Sequence, residues 1–434
     1  MNMQETLNER IMDFYEAPLP EVKSRKIEIH ELPRNVSTLV GMRRTGKTFR
    51  IYQKIQELVA SGVSLDRILY LNLDDDRLRG MTLEDLGRIP DIFYQFHPEN
   101  HQKSCYFFLD EIQDIENWEV FARRMIDSEQ VRLFLTGSSS KLLSKEISTA
   151  LRGRSVETEV FPLSFEEYLR FHDLLDTVPR QFSSITRSIV QNSLKQYFMV
   201  GGFPEVQNCS LELWASKLQG YAGEVLFRDV VERYHIANVT ALRYILQKAF
   251  HNPCAKLSAN AIYRELKGRG YKVDRESISE YITHFCQAYL LYSVPFHSES
   301  LAQRQVNPPK FYAVDIGLVR AMNSKRSADL GHLLENLVFL HLRRKGYEIE
   351  YLVTSENYEV DFVAYHKFDR EYHLFQVCYA MDTPDTLERE RRALLAAKPM
   401  FNPIEMTIVT WEEEKDLDGG IQVVPAWKFL LRQT

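Results

Sequence analysis

The sequence predicts an α/β chain of several domains, and three observations carry that prediction. A glycine-rich loop, "GMRRTGKT" at 41–48, stands between an apolar run and a helix-patterned segment. A second apolar run, "CYFFLDE" at 105–111, ends in the acids Asp110 and Glu111. At 434 residues, finally, the chain is too long for one ordinary core and suits two or three domains.

The first run, "VSTLV" at 36–40, has the β-branched character of a buried strand. After the loop, "TFRIYQKIQELVAS" places Ile51, Ile55, Leu58 and Val59 at helical spacing. Gly41–Thr48 reads G-x-x-x-x-G-K-T, and a strand before and a helix after are the setting a phosphate-cradling loop requires. Gly41, Arg43, Arg44, Thr45 and Gly46, with Phe49 just beyond, form the expected cradle, whose N–H groups and helix N-terminus favour anions. Lys47 is expected to reach the β- and γ-phosphates of ATP, and the Thr48 hydroxyl to ligate Mg²⁺.

Asp110 then serves as a second Mg²⁺ residue, acting through water, and Glu111 as the general base for the attacking water. A further strand, "RILYLNL" at 67–73, lies between the loop and these acids, an order that fits an ATPase of the additional-strand class. The next strand, "VRLFLTGSSSKLL", ends in polar residues. Thr136, Ser138 and Ser139 resemble a γ-phosphate sensor, and Ser140 could equally cap a following helix. Arg152 and Arg154, in "ALRGRSVETEV", lie where an arginine finger would be supplied in trans, with Arg154 preferred. Surface pairs with Glu157 or Glu159 are the alternative for both.

Composition excludes several classes. Hydrophobic residues make up 44% and charged residues 26%, an ordinary globular balance. No apolar run reaches the roughly 18 residues of a membrane span. The N-terminal "MNMQETLNERIMDFYEAPLP" is polar and acidic, unlike a signal or transit peptide. Five scattered cysteines without a C-x-x-C pair argue against a disulfide framework and a zinc site, and a cytoplasmic location is expected. The net charge of −6 neither demands nor excludes a nucleic-acid partner.

Residues 240–320 read as helices followed by a hairpin. Within "LSANAIYRELKGRGYKVDRESISEYITHFCQAYLLYSV" the second helix puts Ile278, Tyr281, Ile282 and Phe285 on one face. "LLYSV" and "KFYAVD" would be wing strands around a flexible polar loop, and the whole would be a winged helix. Expected DNA contacts are Lys272 and Arg275, flanked by Lys267 and Arg269, with Arg304 and Lys310 in or near the wing. Glu276 and Glu280 on the same helix would repel phosphates, and a winged helix can also serve as a protein joint.

From Gly331 a helix containing Glu335 is followed by strands carrying Asp361 ("YEVDFVAY") and Gln376 ("YHLFQVCYAM"). Their order is that of the PD-(D/E)xK nuclease core, where acids from three elements converge on Mg²⁺ and a lysine polarises the water. Here the lysine position holds Cys378, which carries no positive charge. Lys367, Arg389 or Arg391 could supply the cation, and Glu388 or Glu390 an acid. A nuclease fold that no longer cuts, a working nuclease with a rearranged site, and an unrelated α/β domain all remain open.

Five motifs in order, "GMRRTGKT", "LDEIQ…W", "TGSSS", "LRGR" and "PLSFEEY", resemble a prokaryotic AAA+ ATPase family whose C-terminal domain has no assigned function. The resemblance covers essentially the whole chain. In "GGFPEV", Gly202-Phe203-Pro204 resembles the element with which related signalling ATPases contact the adenine side, so Pro204 joins the nucleotide residues; a plain turn between helices is the alternative. The implied organisation is an AAA+ P-loop ATPase core at 1–170, a helical lid or linker at 171–239, a winged helix at 240–325 and a PD-(D/E)xK nuclease-like domain at 326–434. The implied activity is Mg²⁺-dependent ATP hydrolysis directed to duplex DNA by a homo-oligomer, with a nucleotide-gated switch acting on a protein partner as the alternative.

Overall fold

A computed structural model describes residues 2–138, 151–323, 329–369, 371–380 and 384–432. The chain divides into two compact units, Met1–Phe161 with Gln287–Tyr289, and Pro162–Cys286 with Leu290–Thr434. The three segments read after residue 170 fall in the second unit except for Gln287–Tyr289.

In the first unit a helix, α1 (Met3–Glu16), starts with a reciprocal cap between Asn2 and Glu5. The strands β1 (Val36–Val40), β2 (Ile68–Asn72), β3 (Cys105–Asp110), β4 (Val131–Gly137) and β5 (Ser155–Glu159) form one parallel sheet in the order β2-β3-β4-β1-β5. β4 is inserted between β1 and β3, whereas the strand that follows the loop in sequence, "RILYLNL", is β2 at the edge of the sheet. The helix α2 (Lys47–Ala60) buries Ile51, Ile55 and Leu58 with Leu39, Phe108 and Phe134, each worth about 1.5–3 kcal/mol. Val59, expected on that face, is 40% exposed, because it lies about 100° around the helix from Leu58. Phe108 and Phe134 stack across β3 and β4 at 4.5 Å. The sheet therefore presents the ends of β1, β3 and β4 side by side, where the loop and both acids emerge.

The second unit begins with helices Phe165–Phe171, Ser184–Val200, Leu211–Glu224 and Val239–His251. The pair Ala259–Gly268 and Arg275–Gln287 follows, the latter burying Ile278, Tyr281, Ile282 and Phe285 as its spacing requires. β6 (Leu291–Val294) and β7 (Lys310–Ala313) make an antiparallel hairpin, with a short helix, Leu301–Val306, where a polar loop was expected. The helix Leu330–Arg344 leads into β8 (Glu348–Val353), β9 (Glu359–Tyr365) and β10 (Tyr372–Cys378), in which β9 is antiparallel to both of its neighbours. Helix Pro384–Phe401 then crosses to β11 (Glu405–Thr410), parallel to β10. β12 (Lys415–Leu417) and β13 (Ile421–Pro425) complete a six-stranded sheet in the order β12-β13-β11-β10-β9-β8. Its core joins Val360, Val363, Leu374, Leu394, Ile408 and Cys378.

Among the described residues no helix is long and apolar enough to cross a membrane. The five cysteines are unpaired with one another.

Candidate active site

The loop between β1 and α2 is shaped by close backbone approach. A Cβ on Gly41 would sit 2.3 Å from the Val160 carbonyl oxygen, at a φ of +144°, so only glycine fits. Gly46 has a left-handed φ of 97° and is the N-cap of α2, whose first N–H groups are therefore left open toward the loop. Lys47 is buried, and its ammonium donates to the carbonyls of Gly41 (3.0 Å) and Met42 (3.1 Å) while lying 3.6 Å from Glu111. The Thr45 hydroxyl donates back to Met42. Arg43 pairs with Asp74 at 3.7 Å, and Arg44 takes a left-handed φ of 67°. Phe49 is 56% exposed on the first turn of α2.

Asp110 is the hub. It accepts from the Thr48 hydroxyl at 2.7 Å, from the Tyr70 hydroxyl at 3.1 Å and from the Thr136 hydroxyl. Thr136 also accepts the backbone N–H of Glu111 at 2.9 Å, fixing a residue whose φ of 57° is left-handed. Burial and the neighbouring Glu111 push the Asp110 carboxyl up. Burial works in the same direction on Glu111, but Lys47 and Arg43 outweigh it and hold that carboxyl below the usual range. Two adjacent acids are thus driven apart, Asp110 upward and Glu111 downward. The donor set at Thr48 and Asp110 is a hydroxyl touching a carboxylate, hard oxygens of the kind Mg²⁺ takes.

Ser138 is buried just past β4, and Ser139 and Ser140 lie outside the described residues. Arg154 pairs with Asp127, not with Glu157 or Glu159. Its carbonyl accepts from Val36, the first residue of β1, so it stands a full strand, about 16 Å at 3.3 Å per residue, from the loop of its own chain. Arg152 is exposed with a φ of 55°.

In the second unit, Gly202 donates its N–H to the buried Asp315 at 2.7 Å, and a Cβ there would meet the Leu163 carbonyl oxygen at 2.3 Å. Pro204 opens the short turn that follows. Lys272 and Arg275 are exposed, Arg275 donating to Asn260 at 2.7 Å; Glu276 and Glu280 are exposed on the same helix.

Lys310 is not a surface contact. As the first residue of β7 it turns inward and is 5% exposed, bonded to Glu359 (2.7 Å), Glu335 (3.1 Å) and Asp361 (3.4 Å). A side chain so enclosed by carboxylates cannot lie along a duplex. Burial opposes its charge, and Glu335, Asp361 and Glu359 more than offset that. Two residues on, and so on the same face, Tyr312 donates to Glu335 at 2.7 Å. Asn336 bonds both the N–H and the carbonyl of Ala313, clamping the helix against the hairpin. Glu335 is pushed up to about 7 by burial and by Asp361. Gln376 lines the same cavity as Glu335 and Asp361; its Oε1 accepts the Asp361 N–H, and its side-chain amide donates to the Glu359 carbonyl and to Glu390. Cys378 packs in the sheet core. Lys367 lies in the turn between β9 and β10, and Arg389 pairs with Glu390.

The AAA domain family matches residues 33–169, and a domain of unknown function, DUF8612, matches 191–329. An uncharacterized protein of Methanocaldococcus jannaschii is 35% identical over 444 aligned residues, covering 98% of this chain and 94% of that one. The chain belongs to the family of that archaeal protein. An uncharacterized protein of Haemophilus influenzae is 27% identical across 92% of this chain and 94% of its own. A Walker-type ATPase of Pyrococcus abyssi superposes with a TM-score of 0.41 at 13% identity, over 74% of this chain and 95% of that one. The AAA domain takes in Lys47, Thr48, Asp110, Glu111, Thr136, Arg152 and Arg154. Glu335 and Asp361 fall beyond both matched domains, whereas Lys310 falls inside the second.

Two contributors to the nucleotide site escaped the sequence reading. Tyr70 sits in the intervening strand, and its hydroxyl could have been suspected only from the pairing of β2 with β3. Arg25, in a segment without regular structure, donates to the Thr45 carbonyl at 2.7 Å and to that of Phe161 at 2.9 Å; no spacing signals it.

Proposed function

We propose that the first unit binds and hydrolyses Mg²⁺–ATP and that its nucleotide state governs an action on duplex DNA through the second unit. The observation that carries this reading is the network of Lys47, Thr48, Asp110, Glu111 and Thr136 at adjoining strand ends. The loop amides from Gly41 to Gly46 and the Lys47 ammonium hold the phosphates. Thr48 and Asp110 are the residues that would hold Mg²⁺, which supplies neutralising charge to the phosphates when bound. Glu111, kept anionic by Lys47 and Arg43, takes a proton from the attacking water, and Thr136 fixes its backbone. Ser138 senses the γ-phosphate side, Phe49 flanks the nucleotide, and Arg154 with Arg152 acts on a neighbouring subunit's ATP, which makes the active form a homo-oligomer.

For the second unit the reading is a winged helix at 240–325, with Lys272 and Arg275 toward DNA, joined to a nuclease-like segment at 326–434. The helix, three antiparallel strands, helix and parallel strand from Leu330 to Thr410 support it. Glu276 and Glu280 favour a second reading, a switch that engages a basic protein surface. ATP turnover with and without duplex DNA, with Glu111→Gln as the blank, separates the two. Stimulation by DNA supports the first; turnover indifferent to DNA and loss of no DNA affinity in Lys272→Glu/Arg275→Glu refute it.

A further inference from the structure

A cavity of about 590 Å³ in the second unit is walled mainly by two stretches far apart in sequence, 178–187 and 427–432. Four cations line it, Arg180, Arg187, Lys428 and Arg432, against one acid, Glu414, in a chain whose net charge is −6. Lys428 pairs with that Glu414, and Arg432 is tied to Glu405 at 2.8 Å and to Gln422 at 3.3 Å. Arg180 and Arg187 are exposed, and among the described residues neither pairs with an acid. An aromatic face positions Arg187 instead. Its guanidinium lies 5.9 Å from the centre of the Trp427 ring, which Phe182 meets edge-on at 5.1 Å. Such a contact orients the group and leaves its charge uncancelled, whereas a carboxylate would neutralise it. Trp427 is 5% exposed, and among the described residues nothing accepts from its indole N–H. Two guanidinium groups and an indole give hydrogen bonds and accept none, so the complement of this wall is an oxyanion.

We propose that this cavity binds single-stranded nucleic acid, with backbone phosphates at Arg180 and Arg187 and a base against Phe182. The guanidinium fork matches two phosphate oxygens at once, which makes phosphate the fitting oxyanion. Phe182, half-buried on the same wall, offers the apolar contact that a base takes and a bare anion does not. A duplex keeps its bases stacked inside and carries its phosphates on a convex surface. An unpaired strand can instead lay a phosphate and its base together into a recess. Lys428 receives the next phosphate by exchanging Glu414, whose side chain is 53% exposed, for it. Arg432 stays with Glu405 and fixes the wall. This site is separate from Lys272 and Arg275 and goes beyond the duplex reading; it depends neither on the ATPase nor on the winged helix.

The full chain, in a Lys47→Ala background without nucleotide so that the phosphate loop contributes little, is titrated into a fluorescein-labelled oligothymidylate of about twelve nucleotides. Binding is read by fluorescence anisotropy between about 50 and 200 mM salt. Arg180→Gln/Arg187→Gln is expected to weaken binding at least tenfold while the thermal midpoint stays in place. It should also lower the slope of log affinity against log salt by about 1.4, at about 0.7 per phosphate contact on a single strand. Phe182→Leu, which keeps an apolar group against Trp427, should weaken binding roughly fivefold or more with the salt slope unchanged. Arg180→Gln alone, which leaves Arg187 on its tryptophan, decides the matter should the double variant not fold. Absent binding, or binding that both arginine variants leave unchanged, overturns the site. Loss confined to Lys272→Glu/Arg275→Glu puts the strand on the winged helix and overturns it equally. A duplex of the same length that competes as well as the single strand overturns the unpaired-strand reading. Thymidine monophosphate that competes as well, phosphate for phosphate, makes the occupant a free nucleotide and overturns the strand. None of these outcomes bears on ATP hydrolysis.

Discussion

Thr136→Val is the substitution that most directly probes how the nucleotide site is held. Valine keeps the volume and the β-branch, so the strand and its core packing persist. What disappears is one hydroxyl that donates to Asp110 and accepts the Glu111 N–H. A hydrogen bond to a charged group is worth about 1.5–3 kcal/mol, and an orphaned buried N–H costs about 1–3 kcal/mol. Part of that appears as lost stability and part as a Glu111 no longer fixed in its left-handed conformation. If about half is felt in the transition state, kcat falls roughly 10- to 100-fold, at 1.36 kcal/mol per decade. Lys47 keeps both loop carbonyls, so the KM for ATP should move less than about threefold. The assay is steady-state Mg²⁺–ATP turnover, with Thr136→Ser as the control that restores the hydroxyl. An unchanged kcat, or an equal loss in Thr136→Ser, would refute the assignment of Thr136 as the fixing residue.

If Arg154 is a finger in trans, wild-type turnover per subunit should rise with protein concentration and Arg154→Ala should abolish that rise, while mixing it with Lys47→Ala should restore activity, since each supplies what the other lacks; no restoration means Arg154 merely pairs with Asp127. Gly202→Ala should lower the thermal midpoint of the second unit, at a cost of about 1–3 kcal/mol or more, because its Cβ would strike the Leu163 carbonyl. Gly220→Ala, in a helix with nothing near, should instead stabilise by up to about 1 kcal/mol. Asp315 is pushed up to about 6 by burial, from 3.8. A raised acid contributes stability below the unfolded value that is lost as pH rises through about 6, up to about 3 kcal/mol. Urea unfolding from pH 4 to 7 should therefore show a falling component that Asp315→Asn lacks.

The nucleotide site was legible because its parts are local. A loop of eight residues, a strand ending in two acids and a strand ending in Thr136 each reveal themselves by spacing, and a parallel sheet leaves little choice in where their ends meet. Arg25 and Tyr70 were not legible, because what places them is long-range pairing and a backbone carbonyl that has no side-chain signature. In the second unit the helices and strands followed their periodicity, but the use of Lys310 did not. A lysine that closes a polar loop and opens a strand reads as exposed; the register of β7 against β6, and Asn336 locking the next helix onto it, turn it inward. The missing charge at Cys378 was visible in the sequence, but that a lysine 68 positions earlier lies 3.4 Å from Asp361 was not.

That distance has a meaning for how such a chain can be cut or inherited. A fragment beginning at residue 326 would carry Glu335, Glu359 and Asp361 without the Lys310 ammonium that all three share. Such a piece should express poorly or take up cations indiscriminately, and it could not be moved to another protein as a cassette. The hairpin and the sheet that follows it are therefore expected to be kept together, because the Lys310 ammonium of one meets Glu335, Glu359 and Asp361 of the other.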